Sequence, residues 1–261
     1  MGKKLKNFIK KIDKKIFFNL IRKIYVSFFH LNIKFILFFY KKKQDFFNIT
    51  FYNKNNNSLT KLCEIYKSNK GSLDHNKKTI WGSPAHTYSN YYYSLFNHFK
   101  DDVKLVFECG IGTNNQDLES NMTENGIPGA SLRVFRDYFK KAQIYGADID
   151  KDILFKENRI KTFYVDQLNT RSIKIMWKKI GIKNFDIIID DGLHTTDANI
   201  NLFINSFDKL KKNGIYIIED VHSRELKDIM KKLKKFNPEL VVLQSKNIKY
   251  QNNNLVVIRN D

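Results

Sequence analysis

Cysteine is scarce in this chain, and its placement excludes the usual zinc sites. Two cysteines, Cys63 and Cys109, occur among 261 residues. They lie far apart, match no zinc-binding spacing, and Cys109 ends an apolar run. We therefore expect two reduced thiols in a cytoplasmic protein.

Long hydrophobic runs are also lacking near the N-terminus. The longest apolar stretch there, Ile33 to Tyr40, contains Lys34 and is far shorter than the roughly 20 residues needed to cross a bilayer. No small-residue cleavage site follows, so we predict no signal peptide. A membrane-spanning helix is not expected in this segment.

Acidic residues are almost absent from residues 1–43. This segment contains 13 Lys and Arg residues but a single acid, Asp13, so its net charge is +12. Because the whole chain carries +19, only +7 remains for the other residues. Apolar residues recur at helical spacing here, so we expect a basic helical extension over residues 1–60. One hypothesis places residues 1–43 on an anionic membrane surface, at the inner membrane. The alternative is an extension that packs on the domain or mediates homo-oligomer formation.

Signatures of nucleic-acid-binding folds are missing as well. The chain has no helix-turn-helix, RRM or zinc-finger pattern to accompany its positive charge. We therefore expect no specific nucleic-acid partner.

Two short apolar runs in the middle of the chain each end in carboxylates. They read FDIIIDDGLH and GIYIIED. Their length and β-branched residues favour buried parallel strands at 186–189 and 215–218. Between them, apolar residues at helical spacing predict a helix, and the basic segment 209–214, which ends in glycine, predicts its end.

The two runs and the intervening helix form a βαβ unit. Their acidic residues then fall at the carboxyl ends of the strands, where open α/β sheets bind ligands. We expect one crevice to hold five side chains: Asp190, Asp191, His194, Glu219 and Asp220.

Three earlier strands also end in polar or glycine residues. The run 103–109 is followed by Gly110, Gly112 and Thr113, and glycines after a first strand allow a ligand to approach the backbone. The strand 143–147 ends at Asp148, placed for ribose hydroxyls, and the strand 161–165 ends at Asp166 and Gln167, which suit an adenine edge. Helix N-capping is the alternative for both aspartates. Three such strand ends together favour a nucleoside ligand.

The remaining segments complete the sheet and its connections. Residues 69–84 are predicted to be a loop. The tyrosines of the following helix are assigned to packing against the sheet, although His86 and the tyrosines could also contact a ligand. A strand at 240–243 and a last strand at 255–258 form a closing hairpin.

Four motifs follow one another along the chain: ECGIG, GASLRVFRDYFKKAQIYGADID, DIIIDDGLH and GIYIIED. Together they resemble the motifs of class I S-adenosylmethionine-dependent methyltransferases. More narrowly, they are similar to metal-dependent sugar O-methyltransferases of macrolide biosynthesis and to enzymes of bacterial polysaccharide loci. The resemblance implies an α/β, Rossmann-like domain over residues 61–261, with a mostly parallel sheet of seven strands whose last strand is antiparallel. The similarity covers roughly residues 66–221.

The same resemblance implies two ligands and their residues. Asp191, Glu219 and Asp220 would bind Mg²⁺ or Mn²⁺, and His194 would act as general base beside Asp191. S-adenosylmethionine would contact ten residues: Glu108, Gly110, Gly112, Thr113, Ser131, Asp148, Ile149, Asp166, Gln167 and Asp190. Leu193 departs from the small serine usual in the family, and residues 195–199 lack a second histidine, so the acceptor end can differ.

The resemblance points to O-methylation of a sugar hydroxyl in a capsule or other surface-glycan precursor. Methylation of a phosphoramidate or similar phosphoryl group on such a glycan is the related alternative. Two alternatives come from other classes of protein. One is an RNA or protein methyltransferase that binds a polyanion through its basic N-terminus, and the other is a non-catalytic scaffold at a membrane surface.

Overall fold

Apolar runs with little polar alternation form the middle of the sheet, because strands covered on both faces need no polar side. The computed structural model describes residues 56–74, 85–243 and 252–261. Three central strands correspond to predicted runs: β1 (Leu105–Cys109), β5 (Phe185–Asp190) and β6 (Leu210–Ile218). Every residue of β5 is buried.

Five further strands complete the sheet within the described residues: β2 (Gln143–Asp148), β3 (Lys156–Glu157), β4 (Ile160–Tyr164), β7 (Glu239–Val242) and β8 (Asn254–Arg259). The order is β3-β4-β2-β1-β5-β6-β8-β7. The strands from β4 to β6 run parallel, and β8 lies antiparallel between β6 and β7. This confirms the Rossmann-like, mostly parallel sheet with an antiparallel last strand.

The predicted number of strands was one too low. The strand missed is β3, which has two residues and pairs antiparallel with β4 at the edge of the sheet. Two residues are too few to show an alternating pattern, so nothing in the sequence marked this strand.

Six α-helices pack on the sheet in the described ranges: α1 (Ser58–Tyr66), α2 (Tyr88–Phe96), α3 (Ala130–Tyr138), α4 (Thr170–Ile180), α5 (Thr196–Ser206) and α6 (Leu226–Lys232). Short 3₁₀ turns follow α5 and α6. The Asn57 side chain caps α1, and the Asn169 side chain caps α4 by accepting two backbone N–H groups.

Alternate residues of each strand supply two separate packing faces. Val106 on β1 belongs to a core cluster shared with α1, α2 and α3. The next residue, Phe107, instead contacts the Trp177 ring of α4, with ring centroids 4.6 Å apart. Helices therefore cover both faces of the sheet, and the strand ends are left as the place for a ligand.

The predicted helix end over residues 209–214 was wrong. Strand β6 begins at Leu210, and its residue Asn213 has a left-handed backbone with a φ of 61°. The pairing of β6 with β5 shifts register between Phe185 and Ile187. A bulged strand uses the same glycine and asparagine residues as a helix terminus, so the local sequence could not separate the two.

The N-terminal predictions fall largely outside the described residues. Residues 1–43, the subject of the membrane and dimer hypotheses, are among those not described, and the boundary at residue 60 stays a prediction. The first described helix, α1, begins at Ser58 and packs into the core through Leu59 and Cys63. Across the described ranges, every helix is too short or too polar to pass through a bilayer.

The two thiols should be protected in the folded protein. Cys63 and Cys109 are both buried, and burial raises the pKa of the Cys63 thiol to about 12 and the pKa of Cys109 well above its usual value. Because the thiolate is the reactive form, we expect a chromogenic disulfide reagent at about pH 8 to label neither thiol within minutes. Protein unfolded in guanidinium should react at both cysteines and release two equivalents of the chromophore per chain. Rapid labelling of the native protein would contradict this packing.

Candidate active site

The site lies where the strand order of the sheet changes direction. From β1 the chain turns to β2 on one side, and β5 lies on the other side of β1, which opens a crevice at the strand ends. Backbone hydrogen bonds align the loops there. The Asp191 N–H donates to the Cys109 carbonyl, and the Glu219 N–H donates to the Asp190 carbonyl, both at 2.8 Å.

Two glycines after β1 permit this close approach. Gly110 and Gly112 have φ values of 82° and 86°, in the left-handed region. A Cβ on Gly110 would lie 2.0 Å from the carbonyl oxygen of Asp191, and one on Gly112 would lie 2.1 Å from the Met122 side chain. Gly110 therefore requires glycine for space as well as for backbone conformation, whereas at Gly112 the backbone conformation is the stronger requirement because the flexible Met122 side chain can move.

A cavity of about 360 Å³ opens beside this glycine loop, a volume typical of small-molecule sites. It is lined by most of the residues predicted to bind a cofactor: Gly110, Gly112, Thr113, Ser131, Asp148, Ile149, Asp166 and Gln167. The residues predicted at the reacting end also line it: Asp191, His194 and Asp220. The tertiary structure thus brings together residues spread over more than one hundred positions of the chain.

Three predicted site residues are fully buried and are not among the lining residues: Glu108, Asp190 and Glu219. Asp190 accepts hydrogen bonds from Gln167 Nε2 at 2.6 Å and Asn199 Nδ2 at 2.9 Å. Glu108 accepts from Ser131 Oγ at 2.5 Å. Asp190 and Glu108 therefore hold residues of the cavity wall in position.

Polar side chains also tie neighbouring loops to one another. Asp148 Oδ2 accepts from the Ile111 N–H at 2.8 Å, which joins the end of β2 to the glycine loop. Gln167 Oε1 accepts from the Leu193 N–H at 2.7 Å, which joins the end of β4 to the loop after β5. The loops of four strands form one hydrogen-bonded rim.

A cluster on the cavity wall contains Asp191, His194 and Asp220. One possible ligand atom from each side chain lies within 4.8 Å of the other two, and His194 Nε2 is 4.0 Å from Asp220 Oδ2. His194 and Asp220 also have left-handed backbones, with φ values of 59° and 53°. Such conformations cost on the order of 1–3 kcal/mol each and concentrate at functional sites.

The surroundings of Asp220 favour its charged form. The Tyr88 hydroxyl donates to Asp220 Oδ1, and His86 Nδ1 lies 3.5 Å from the same oxygen. Burial works against ionisation, but the neighbouring His86 and His194 lower the pKa of Asp220. The carboxylates of Asp191 and Asp220 fit a divalent cation, and the imidazole of His194 beside them can accept a proton.

Glu219, the third predicted cation ligand, belongs to a second cluster with Glu108 and Asp191. Lys70 Nζ lies within ion-pair distance of all three, at 2.6 Å from Glu219 Oε2, 2.8 Å from Asp191 Oδ2 and 3.1 Å from Glu108 Oε1. The other Glu219 oxygen accepts from the Tyr92 hydroxyl at 2.6 Å. The role of Glu219 as a metal ligand stays a prediction.

Charge in this second cluster is concentrated and buried. Burial works against the charged form of Lys70, but Asp191, Glu219 and Glu108 raise its pKa well above the ordinary value. Burial, and then the charge of Asp191, raises the pKa of Glu219 well above its usual range. The Lys70 ammonium therefore lies beside two buried carboxyl groups, Glu108 and Glu219, whose pKa values are raised mainly by burial.

Sequence reasoning missed Lys70, which it placed in a loop, and it assigned Tyr88 and Tyr92 to packing. The tyrosines do pack in the core, and their four-residue spacing puts both hydroxyls on one side of α2, toward the acids. For Lys70 no comparable signal exists, because the chain holds 46 Lys and Arg residues.

Fold and site together define the class: the chain has the Rossmann-like fold of class I methyltransferases. The MycE methyltransferase from the mycinamycin biosynthetic pathway, in a structure with Mg and SAH, superposes with a TM-score of 0.55 at 23% sequence identity. The match covers 80% of this chain and 57% of that chain. This likeness concerns the fold.

Curated proteins give the narrower resemblance. The chain is similar to the 8-demethyl-8-alpha-L-rhamnosyl tetracenomycin-C 2'-O-methyltransferase of Streptomyces olivaceus, with 32% identity over 143 residues, 55% of this chain and 35% of that protein. It is also similar to the demethylmacrocin O-methyltransferase of Streptomyces fradiae, with 32% identity over 141 residues, 54% of this chain and 33% of that protein.

These relatives confirm the resemblance to sugar and macrolide O-methyltransferases that the motifs indicated. The matched region spans about a third of the length of the curated relatives. No protein-family model matches the chain.

The close approach at Gly110 can be tested against a matched glycine. Gly181, which ends α4, also has a left-handed backbone, but an added Cβ there would lie 3.9 Å from its nearest neighbour. We expect Gly181→Ala to cost about 1–2 kcal/mol of unfolding free energy, from backbone strain alone. Gly110→Ala should cost clearly more in denaturant unfolding, because the loop after β5 must also move. Equal losses in the two variants would argue against the tight contact.

Proposed function

We propose that this chain is an S-adenosylmethionine-dependent and divalent-metal-dependent O-methyltransferase that acts on a sugar hydroxyl. One observation carries the proposal: Asp191, His194 and Asp220 cluster on the wall of the same cavity that the glycine loop lines. Such a cavity offers a place for a nucleoside donor beside groups that can hold a cation and take a proton. The names of the relatives support a sugar acceptor.

The donor end of the cavity suits a nucleoside with a charged tail. Gly110, Gly112 and Thr113 expose backbone to it, and Asp148 is placed for ribose hydroxyls. Ile149 and Leu168, which are 46% and 59% exposed, line the same cavity and offer apolar surface to a flat base. S-adenosylmethionine supplies the methyl group when bound.

At the reacting end, the chain must make a hydroxyl nucleophilic. Like water, an alcohol has a pKa far above neutral pH, so its hydroxyl is a poor nucleophile there. A divalent cation held by Asp191 and Asp220 would lower the pKa of the acceptor hydroxyl and orient it. His194 accepts the proton, and Asp220 favours the imidazolium that forms.

Alignment of the two reactants supplies further acceleration. Effective molarities of about 10⁵ M or more are reached when reacting atoms are held in line. The hydrogen-bonded rim of strand-end loops provides a rigid frame for that alignment, because Asp191 and Gly110 are fixed against each other. Turnover therefore depends on the fixed spacing between the glycine loop and the loop after β5.

The acceptor proposed is a hydroxyl of a surface-glycan precursor, such as one for a capsule. A phosphoramidate on such a glycan is the alternative that the assay must include. The cytoplasmic location, a membrane contact through residues 1–43 and a homo-oligomer stay predictions.

The test is a calorimetric titration with S-adenosylmethionine, followed by a metal-supplemented screen for S-adenosylhomocysteine release. The screen should contain nucleotide-linked sugars, phosphoramidates and RNA. Release with a sugar acceptor supports the proposal. Failure to bind the donor would favour a non-catalytic scaffold. Release of S-adenosylhomocysteine with RNA alone would mean that the acceptor is a polynucleotide and not a sugar.

The base assignment predicts a specific defect in His194→Ala. Loss of a general base should lower kcat about 10²- to 10⁴-fold, because base catalysis contributes acceleration of that size. Donor affinity in calorimetry should stay near wild type. His98→Ala, at an exposed histidine on the segment after α2, is the matched control and should retain activity. Unchanged turnover in His194→Ala would show that His194 is not the general base.

The cation assignment predicts that chelation abolishes turnover and that Mg²⁺ or Mn²⁺ restores it. Asp220→Asn should weaken Mn²⁺ binding by about tenfold or more, measured by electron paramagnetic resonance of free Mn²⁺. Asp228→Asn, at an acid on the outer face of α6, serves as control and should bind Mn²⁺ like the wild type. Full activity in the chelated protein would exclude the metal.

A further inference from the structure

Gln167, which the sequence predicted to meet the adenine edge of the donor, uses its side chain inside the protein. It follows β4, is 7% exposed, and lines the cavity. Its Oε1 accepts from the Leu193 N–H at 2.7 Å, and its Nε2 donates to Asp190 Oδ1 at 2.6 Å. Each polar atom of the amide therefore already has a partner at the end of β5 or in the loop after it.

We propose that Gln167 is a positioning residue that fixes the loop between β5 and α5, and that it does not select the base of the donor. This loop, residues 191–195, carries Asp191 and His194. The role rests on the proposed function, because those two side chains are the reacting groups there. The geometry of the reacting end then depends on a residue from the donor side of the sheet.

Close packing at Gly192 shows how near the amide lies to this loop. A Cβ added to Gly192 would lie 2.0 Å from Gln167 Oε1 and 2.7 Å from its Cδ. Ordinary contacts between carbon atoms are about 3.5 Å or longer. Gln167 could move aside only by giving up its hydrogen bonds to Leu193 and Asp190. The loop therefore reaches the end of β4 because residue 192 has no side chain.

Helix α5 holds both partners of this contact from behind. Asn199 Nδ2 donates to the second oxygen of the buried Asp190 carboxylate at 2.9 Å. Asn201 Nδ2 donates to the Gln167 carbonyl at 2.6 Å. Loss of the Gln167 amide would leave Asp190 Oδ1 and the Leu193 N–H without these bonds, and unpaired polar groups are costly inside a protein.

His194 follows Leu193 directly and needs such support. Its backbone is left-handed, with a φ of 59°. A non-glycine residue keeps this conformation only where neighbouring contacts fix it. The bond from the Leu193 N–H to Gln167 is the side-chain contact immediately before it, so this bond helps to set the direction of the imidazole.

Asp166 is better placed than Gln167 to recognise the base. Its Oδ1 accepts from the Leu168 N–H at 2.9 Å, and its Oδ2 has no hydrogen-bond partner in the part of the chain that the structure describes. An ionised carboxylate only accepts hydrogen bonds, and the amino group of adenine donates them. Selection of adenine therefore does not require the Gln167 amide.

The first experiment measures hydrogen exchange at the Leu193 amide in the full chain, without donor or metal. Gln167→Met removes both side-chain hydrogen bonds, so this amide should exchange about tenfold faster or more, while the amides of β1 keep their wild-type rates. Gln143→Met is the control, at a partly exposed glutamine of β2 whose side chain makes no hydrogen bond to a described residue. An unchanged Leu193 rate in Gln167→Met would overturn the proposal.

The second experiment reverses donor and acceptor. Gln167→Glu keeps an oxygen for the Leu193 N–H but sets a second carboxylate against Asp190, so Leu193 should exchange faster and the protein should melt lower. Adding Asp190→Asn supplies an amide donor to that carboxylate, while its oxygen still accepts from Asn199. The double variant should regain protection at Leu193, and a double variant no better than Gln167→Glu would contradict the contact. This pair decides the question where Gln167→Met does not fold.

The third experiment compares S-adenosylhomocysteine with S-inosylhomocysteine, in which an oxygen replaces the adenine amino group, by calorimetry. Gln167→Met should keep the wild-type preference for adenine within about threefold, whereas Asp166→Asn should lose about tenfold of it. A tenfold loss of preference in Gln167→Met would make Gln167 a base-reading residue and overturn the proposal.

Turnover adds a readout that a change in stability alone does not produce. With an acceptor from the screen, Gln167→Met should lower kcat about tenfold to 10²-fold, because small displacements of reacting groups are that costly, while the KM for S-adenosylmethionine stays within about threefold. A raised KM with an unchanged kcat would assign Gln167 to donor binding instead.

Two results separate the role of Gln167 from the proposed function. If the wild type binds neither nucleoside but Leu193 exchanges faster in Gln167→Met, the proposed reaction fails and Gln167 still fixes the loop. If the wild type binds S-adenosylhomocysteine and Gln167→Met leaves Leu193 exchange unchanged, the role of Gln167 fails and the proposed reaction is untouched.

Discussion

The site depends on burying several carboxylates next to one another at the ends of parallel strands. Parallel register brings the ends of β1, β5 and β6 to one edge, and their acids arrive within a few ångströms. Like charges in a buried place repel, and each loses its hydration. At Glu219, the positive charge of Lys70 offsets the repulsion between the acids. Hydrogen bonds from the Lys70 ammonium and the Tyr92 hydroxyl replace the lost hydration. Without such partners this arrangement of strands could not keep its acids buried so close together.

The helices on the two faces of the sheet contribute differently to the site. On one face, α1 and α2 pack their apolar residues into the core and also direct two tyrosine hydroxyls toward the acids. On the other face, α4 and α5 pack through aromatic rings such as Trp177 and Phe203. The hydroxyl partners of Glu219 and Asp220 therefore come from α2, whereas Asp190 is held from the other face by Asn199 of α5. The cavity opens at the strand ends.

Much of the fold could be predicted, because the signals were local. The apolar runs of β1, β5 and β6 differ from their surroundings in composition, and the placement of the acids and glycines directly after them follows from strand polarity. The same local reasoning failed at residues 209–214, where a bulged strand resembles a helix end, and at β3, which is too short to have a pattern.

The sequence by itself determined that this is an α/β chain with carboxylates, an imidazole and a glycine loop at the carboxyl edge of its sheet. Periodicity and turn chemistry are properties of neighbouring residues, so they can be read without coordinates. Only the tertiary structure decided that Asp191 joins two clusters, that Glu219 and Glu108 lie behind the cavity wall, and that Lys70 lies between them. Ion pairs between residues 38 to 149 positions apart depend on how the helical layer packs onto the sheet, and no local pattern carries that information.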